Sequence, residues 1–290
     1  MKHKLILVLI VAAVYFAPGR VLAEGSRLDG MISPINNPLV FEDPRITTEV
    51  RPAYVYHDLD SDFATGGGSV QLIAAQARLA LTDRLGLIAT KDGYLIIKPD
   101  QVLPDTEGSA NLEAGLKYAF YVDEDAGSIA TAGLRYQIAT GDPEVFQGEG
   151  DGLISPFLSG AMAAGDFNLM GFTQLRLPFN SDDSTFWDVS FHADYPIGNL
   201  YPVFEANFFH VLSEGERIPI TGEGADVINF GASDLDGKST LNLGVGLRYR
   251  FAKWLDGGVG WEFDVLNNDD VYGWRITTDL IFKFDFVCFS

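Results

Sequence analysis

Residues 241–251 read LNLGVGLRYRF, and this stretch decides between the fold classes. Its odd positions are all aliphatic or aromatic, whereas its even positions are Asn, Gly or Arg. A period of two is typical of a β-strand, because successive side chains point to opposite faces of the sheet. The stretch therefore predicts a strand with one apolar face and one face that is polar or bare.

The same alternation recurs along the chain in segments of roughly ten to fourteen residues. Strands of soluble proteins average about five to six residues, whereas strands that span a bilayer need about nine to eleven. The length of the segments therefore favours spanning strands. The predicted strands lie near residues 45–57, 69–81, 84–97, 109–122, 127–140, 153–163, 166–178, 185–195, 199–212, 239–251, 255–265 and 271–286.

The connections between these segments alternate in length. Short turns such as Thr82-Asp83 follow the even-numbered strands, and long connections such as residues 213–238 follow the odd-numbered strands. Outer-membrane barrels have an even number of strands, short periplasmic turns and longer outer loops. A soluble sandwich is the alternative fold, but it gives no reason for this sorting. We predict an all-β fold, a single transmembrane up-and-down antiparallel β-barrel of about 12 strands with short periplasmic turns and longer acidic outer loops.

One position conflicts with this register. Lys91 falls on the apolar face, where a charge would meet lipid at a cost of about 2–4 kcal/mol at the bilayer midplane. We therefore predict either a β-bulge or a local error in this register near Asp92-Gly93. On the opposite face, Phe172 and Phe209 are predicted to point into the lumen, which indicates a partly apolar solute.

Residues 1–23 have the features of a cleaved signal peptide. Lys2 and Lys4 precede an apolar run from Leu5 to Phe16, and Val21-Leu22-Ala23 offers a cleavage site. We therefore predict export and a location in the cell outer membrane, with the barrel over residues 45–290. Residues 24–44 contain Asn and Pro residues that oppose regular structure. They are predicted to form either a periplasmic N-terminal segment or a lumen plug.

The formal net charge is −20, from 20 Lys and Arg against 40 Asp and Glu. Such an excess of negative charge argues against a nucleic acid as partner. The one cysteine, Cys288, excludes a disulfide framework. The expected partners are outer-membrane lipid and lipopolysaccharide, a small-molecule solute and the outer-membrane assembly machinery.

Two stretches carry a resemblance to a known family. They are residues 33–45, SPINNPLVFEDPR, and residues 81–94, LTDRLGLIATKDGY. Both resemble bacterial outer-membrane barrels that are grouped as the "MetA-pathway of phenol degradation" family of porin-like transporters. The resemblance implies an outer-membrane channel that passes small solutes. The chain departs from the usual aromatic last residue of such barrels, because it ends Val287-Cys288-Phe289-Ser290.

The polar strand faces carry both signs of charge and are predicted to line a pore. One interpretation is a constriction whose opposed charges select an anionic or polar solute. The other is a salt-bridge network that fills a narrow barrel, which gives a structural barrel with a blocked lumen. The predicted pore-lining residues are Glu49, Arg51, Arg78, Glu113, Lys117, Arg135, Arg176, Asp188, His192, Glu205, Arg248, Arg250, Glu262, Arg275 and Asp279.

A hydrolase that resembles outer-membrane phospholipase is a weaker alternative. Ser190 and His192 share one strand face, but the register points both away from lipid, and Asp194 lies about 7 Å further along the strand. We therefore predict no enzyme activity and no catalytic residue. The acidic stretch at residues 58–62 has the alternating oxygen donors that suit Ca²⁺, but it lacks the rest of an EF-hand loop. We predict no metal site and no cofactor.

Overall fold

The computed structural model describes residues 26–148, 150–266, 271 and 273–289, so the predicted signal peptide lies outside the described residues. Within these ranges no helix is both long and apolar enough to cross a membrane. The described residues form a sheet of fourteen strands. The strands are β1 (Glu49–Leu59), β2 (Gly68–Ala80), β3 (Leu85–Lys91), β4 (Tyr94–Pro99), β5 (Thr106–Ser109), β6 (Leu112–Asp123), β7 (Ser128–Ile138), β8 (Leu153–Ala164), β9 (Phe167–Pro178), β10 (Thr185–Asp194), β11 (Leu200–Ser213), β12 (Ser239–Ala252), β13 (Leu255–Asp264) and β14 (Trp274–Lys283).

The sheet closes on itself as an antiparallel barrel. Strand β1 pairs with β2 on one side and with the last strand, β14, on the other. Strands β3 and β4 are two halves of one spanning strand, because both pair with β2 and follow each other along it. Strands β5 and β6 are the halves of the next, and they pair with β4 and β3 respectively. The prediction of a closed antiparallel barrel of about 12 strands is confirmed.

The break between β3 and β4 resolves the conflict at Lys91. Thr90 and Lys91 are both buried, so the strand does not alternate there, and the break follows at Asp92-Gly93. Lys91 therefore points into the barrel, where its Nζ donates to Gln137 Oε1 at 3.1 Å. The predicted irregularity near Asp92-Gly93 is confirmed, and the side chain avoids lipid.

Two predicted strands have different bounds in the structure. The segment predicted at 109–122 is interrupted at Ala110-Asn111, between β5 and β6. The last strand ends at Lys283 and not near residue 286. The tail beyond it hydrogen-bonds to β2 and the turn after it, because the amides of Cys288 and Phe289 donate to the carbonyl oxygens of Ala80 and Leu81.

The connections sort by length as predicted. One end of the barrel carries the short turns, at residues 81–84, 124–127, 165–166, 195–199 and 253–254. The other end carries, among the described residues, 60–67, 100–105, 139–148, 150–152, 179–184, 214–238, 265–266, 271 and 273. We call these the short-turn end and the long-loop end.

The barrel is apolar outside and polar inside. Leu247, Tyr249 and Phe251 of β12 are 47%, 42% and 59% exposed, whereas Asn242 and Arg248 on the inner face are fully buried. This inverts the distribution of a soluble protein, in which the apolar face packs inside. The outer surface is therefore the apolar band that a bilayer requires.

Two chain segments occupy the interior. The first is the N-terminal segment, residues 26–48, which enters from the short-turn end and is buried without interruption over residues 31–44. The second is the β11–β12 loop, residues 214–238, which folds inward from the long-loop end. They meet in the middle, where Leu39 shares an apolar cluster with Val227 and Ile228 of the loop.

Candidate functional site in the barrel lumen

The centre of the lumen holds a carboxylate bound by three cations. Glu42 of the N-terminal segment is fully buried. It accepts hydrogen bonds from Arg78 Nε at 2.9 Å and from Lys117 Nζ at 2.8 Å, and Arg135 lies at 3.4 Å. Burial alone would raise the pKa of Glu42, but the attraction of Arg78, Lys117 and Arg135 outweighs it and holds the pKa well below its usual range. The glutamate therefore stays ionised and balances part of the positive charge of the wall.

The register of the strands explains why these cations converge. Arg78 on β2, Ile88 on β3, Gly115 on β6 and Arg135 on β7 form one row across neighbouring strands, each residue paired with the next. Gly115 contributes no side chain, so the two long guanidinium groups have room to extend towards the same point. Lys117 lies two residues along β6 on the same face. The sequence thus brings three cations together without any short motif.

The barrel wall binds the N-terminal segment mainly through its main chain. Arg248 Nε donates to Ser33 O at 3.1 Å and Arg51 donates to Pro34 O at 2.8 Å. Gln76 Nε2 donates to Pro38 O at 2.7 Å. The carbonyl oxygens that accept a bond from a wall side chain include those of Asp29, Met31, Ser33, Pro34, Pro38, Val40, Glu42, Asp43, Pro44 and Arg45.

One wall residue binds the amides of the same segment. Glu205 accepts from the backbone N–H of Ile35 at 2.8 Å and from that of Asn36 at 2.6 Å. His192 Nδ1 lies 2.6 Å from Glu205 Oε1, and His192 Nε2 lies 3.1 Å from Asp194 Oδ2. The imidazole is therefore held between two carboxylates and fixes the one that binds the segment.

This geometry corrects one expectation and bears on the hydrolase alternative. Asp194 does reach His192, because the two side chains lean together although their Cα positions are separated along β10. Both ring nitrogens of His192 are occupied by carboxylates, and Ser190 Oγ accepts from Asn37 Nδ2 at 3.3 Å. The described residues therefore do not pair this hydroxyl with the base that nucleophilic catalysis requires.

Glycines form a trough on the wall beneath the segment. Gly244 and Gly246 on β12, and Gly258 and Gly260 on β13, occupy inward-facing positions, and Gly246 pairs with Gly260. A Cβ built at Gly244 or at Gly260 would overlap the side-chain amide of Asn36. Glycine in a strand interior often marks the close approach of another backbone. These positions therefore give the N-terminal segment its place against the wall.

The remaining predicted pore-lining residues form ion pairs along the wall. Arg51 and Arg248 both bind Asp279, and Arg275 binds Glu262. On the opposite side of the lumen, Arg176 binds Asp188 with both Nε and a terminal nitrogen at 2.8 and 2.9 Å. The fifteen residues predicted to line the lumen are buried, apart from Arg250, which is partly exposed near the short-turn end. Glu49 and Glu113 lie beside Arg78 and Arg135 at 3.4 and 3.9 Å.

Aromatic side chains complete the contact with the N-terminal segment. Phe41 packs on Phe172 with ring centroids 5.8 Å apart, and Phe157 lies on the other side of Phe172 at 5.7 Å. The guanidinium of Arg135 stands 4.9 Å from the Phe157 centroid. The predicted lumen aromatics Phe172 and Phe209 are both buried. They belong to one apolar cluster with Phe41.

Little free volume lies between the two interior segments. Two cavities of about 20 Å³ each are lined by Lys91, Gln137, Leu153 and Asn229 among others. A cavity of about that size holds a single water. In the part of the chain that the structure describes, no group of three or more His, Cys, Asp or Glu residues is placed to hold a metal ion. Among the described residues, the two interior segments therefore occupy much of the lumen.

Sequence reasoning did not identify several residues of this site. Glu42, Asn36 and Asn37 lie in a segment without periodicity, and Asp226 and Asp256 pair with wall cations from outside the predicted set. Two signals were available. The cations Arg78, Lys117 and Arg135 lie within two residues of one height on neighbouring strands, and glycines occupy consecutive inward positions on β12 and β13.

The fold matches solved structures of outer-membrane barrels. An outer membrane channel from Pseudomonas putida F1 has a TM-score of 0.60 and 15% identity, covering 88% of this chain and 100% of that one. The NanC porin has a TM-score of 0.52 and 9% identity, covering 82% of this chain and 100% of the porin. No protein-family model and no curated protein sequence matches the chain. The chain therefore has the fold of outer-membrane β-barrel channels.

Proposed function

We propose that the protein is an outer-membrane channel for small anionic solutes, and that its N-terminal segment closes the lumen. The observation that carries the proposal is the binding of Glu42 by Arg78, Lys117 and Arg135. Glu42 is fully buried and belongs to a segment that joins the barrel only at its C-terminal end. When the segment leaves the lumen, the three cations lose the carboxylate of Glu42. They then form a binding site for the carboxylate of a solute.

The solute class follows from the groups that the segment covers. A carboxylate on a small solute can take the place of Glu42, because guanidinium groups bind carboxylates through two parallel hydrogen bonds. Phe172 and Phe157 lie beside this site and offer an apolar surface that Phe41 now covers. The expected solute is thus a small carboxylate with an apolar or aromatic part. Such a solute is compatible with the resemblance to the "MetA-pathway of phenol degradation" family of transporters.

The orientation follows the rule for outer-membrane barrels. Short turns face the periplasm and longer loops face outward, so the N-terminal segment closes the lumen from the periplasmic side. The apolar outer band contacts outer-membrane lipid, and the acidic loops contact lipopolysaccharide. We further propose that residues 1–23 direct export and that the outer-membrane assembly machinery inserts the barrel.

Planar-bilayer recordings test the proposal on the full chain. Wild type should be closed most of the time, with openings that favour anions. Glu42→Gln removes the charge that balances three buried cations, and breaking a buried pair costs about 3–5 kcal/mol. The open fraction should therefore rise by at least about a hundredfold, which corresponds to roughly 2.7 kcal/mol. Glu144→Gln, at an exposed position in a long loop, is the matched control and should behave as wild type.

A structural barrel with a blocked lumen is the second candidate, and the filled interior favours it. In that case both glutamine variants would remain closed while the protein still inserted and folded. Heat-modifiable gel migration reports folding independently of current. A folded Glu42→Gln barrel without openings would contradict the channel proposal.

A further inference from the structure

The wall of the lumen recognises a peptide backbone more than a particular sequence. In the described residues, twelve carbonyl groups of the N-terminal segment, from Asp29 to Arg45, accept bonds from wall side chains. Among the described contacts, three of its side chains hydrogen-bond to the wall, namely Asn37, Glu42 and, next to β1, Thr48. The donors are Arg, Lys, Gln, Ser and Thr side chains on six strands, β1, β2, β6, β7, β8 and β12.

The donors of the wall can bind the main chain of another peptide as well as that of the N-terminal segment. A buried carbonyl must be hydrogen-bonded whatever residue carries it. Arg51, Arg248 and Gln76 supply donors at fixed positions, and their acceptors are the main-chain oxygens of Ser33, Pro34 and Pro38. The same donors therefore serve any chain that follows the same path. Glu205 adds a matched acceptor for two successive backbone N–H groups.

The glycine trough offers space and unpaired polar groups to side chains other than that of Asn36. Both polar atoms of Asn242, and Thr277 Oγ1, are buried without a hydrogen-bond partner among the described residues. Thr277 pairs with Gly260 in register, and Asn242 lies two residues from Gly244 on the same face. The side-chain amide of Asn36, which fills this space, is also without a partner. The trough is thus not matched to Asn36, and a more polar side chain would satisfy more of it.

We infer that the emptied lumen is a binding groove for short acidic peptides. The groove binds the ligand's main chain through Arg51, Arg248, Gln76 and Glu205, and one ligand carboxylate takes the place of Glu42. This inference rests on the proposed function, because it names the class of anionic solute that the opened channel accepts. The N-terminal segment is the intramolecular copy of that ligand.

The experiment uses the full chain with Gly244→Ala and Gly260→Ala. The two added methyl groups overlap only the Asn36 side chain among their nearest atoms, so they displace the segment and leave the wall charges intact. Gly171→Ala on the outer face of β9, where a Cβ meets nothing within 4 Å, is the matched control. The double variant should conduct in planar bilayers, and Gly171→Ala should stay as closed as wild type.

Three probes are then added to the conducting double variant. The first is a synthetic peptide of residues 26–45 with Gly in place of Asn36, which avoids the new methyl groups. The second keeps the prolines and the glutamate in position but permutes the other residues. The third is maltotriose, a neutral solute without a peptide backbone. Both peptides should block the current, with half-blocking concentrations within about tenfold of each other, and maltotriose should leave the current unchanged.

The outcomes separate this inference from the proposed function. A block by the first peptide alone would show that the wall reads this sequence only, and an equal block by maltotriose would show an unselective pore; either overturns the inference while the channel stands. A folded double variant that passes no current overturns both. If the double variant does not fold, as judged by heat-modifiable migration, the same probes are applied to Glu42→Gln, with the unaltered peptide 26–45 as the first probe.

Discussion

The N-terminal segment and the β11–β12 loop fill one barrel from opposite ends, but they differ in their hydrogen bonds to the wall and in their attachment to the strands. The segment is bound by the ion pairs of Glu42 and by hydrogen bonds from wall side chains to its carbonyl groups. The loop places Val227, Ile228 and Phe230 in a large apolar cluster and is joined to a strand at each end. The segment also buries apolar side chains such as Met31, Ile35 and Phe41, but among the described residues it continues into a strand at its C-terminal end alone. The segment is therefore the part that can leave.

Deletion is the strongest test of this comparison. A chain without residues 26–44 should still insert and should conduct continuously, because the segment forms no strand of the barrel. A chain without residues 218–233 should fail to reach the heat-modifiable folded form, because it loses a large part of the apolar cluster at the long-loop end. Bilayer current and gel migration measure the two results.

The reverse result would contradict the assignment of roles. If the loop deletion folds and conducts while the segment deletion does not fold, the loop is the movable element and the segment is the core. A chain that lacks residues 60–67 is not a suitable control, since Phe63 belongs to the same cluster. Wild type refolded in parallel provides the reference for both.

The pattern of strands was predictable, because burial on one face imposes a period of two that turns and loops cannot imitate. The bulge at Lys91 followed from the cost of placing a charge in lipid. The inward fold of the β11–β12 loop was not predictable, because Val227, Ile228 and Phe230 stand in a stretch with no period. The apolar residues of the loop indicate that it is covered by other parts of the protein. They do not indicate that the interior of the barrel covers it.

The candidate site was predictable in part. The wall charges follow from the polar face of each strand, so the fifteen predicted residues lie inside or at the mouth of the barrel. Their pairing depends on register across strands, which one sequence does not specify. Glu42 was missed since the Asn and Pro residues before it fit an exposed tail as well as a buried segment. The inward-facing glycines at 244, 246, 258 and 260 were the sequence feature that favoured a buried segment, because they leave room for a second chain against the wall.

The next prediction compares one phenylalanine from each region. Phe41 and Phe230 are 1% and 7% exposed, and truncation of a buried Phe to Ala costs about 3–5 kcal/mol. In Phe41→Ala this cost falls on the closed position of the segment, so the open fraction in bilayers should rise at least about tenfold. In Phe230→Ala it falls on the packing of the loop against Phe63 and Phe146. That variant should lower the temperature of heat-modifiable unfolding and leave the current unchanged.

The two variants control each other, because the same side chain is removed from both regions. Equal effects on current would show that the loop opens with the segment. Equal effects on unfolding temperature would show that the segment is part of the barrel core. Phe251→Ala on the lipid-facing surface of β12, at 59% exposure, serves as a position that should move neither readout strongly.

A smaller effect is expected from a single methyl group in the trough. Gly244→Ala should loosen the segment by about 1–3 kcal/mol, the usual cost of overpacking a well-filled site. Arg45 is protected in the closed state because its guanidinium binds Asp43 and donates to Met31 O. Trypsin should therefore cut after Arg45 roughly ten times faster or more in Gly244→Ala than in Gly171→Ala. Equal rates would mean that the trough does not hold the segment.

The smallest expected effect is the response to pH, because the pKa shifts of the buried glutamates Glu42 and Glu223 have opposite directions in the two regions. The pKa of Glu42 lies below its ordinary value because its three cations outweigh burial. A lowered pKa gives stability that is present above the unfolded value, near 4.3, and that is lost only as the pH falls through the folded pKa. Closure by the segment should therefore be the same at pH 7.5 and pH 5.5.

In the loop, burial raises the pKa of Glu223 although Ser184, Ala232 and Phe230 donate hydrogen bonds to it. A raised pKa gives stability that is fully present below the unfolded pKa and is lost as the pH rises through the folded value. The unfolding temperature of the barrel should therefore be slightly higher at pH 5.5 than at pH 7.5. Glu223→Gln should abolish that difference, and Glu144→Gln should retain it. If closure of the lumen changed between pH 5.5 and pH 7.5 and the unfolding temperature did not, both assignments would be contradicted: that of Glu42 to closure and that of Glu223 to the stability of the loop.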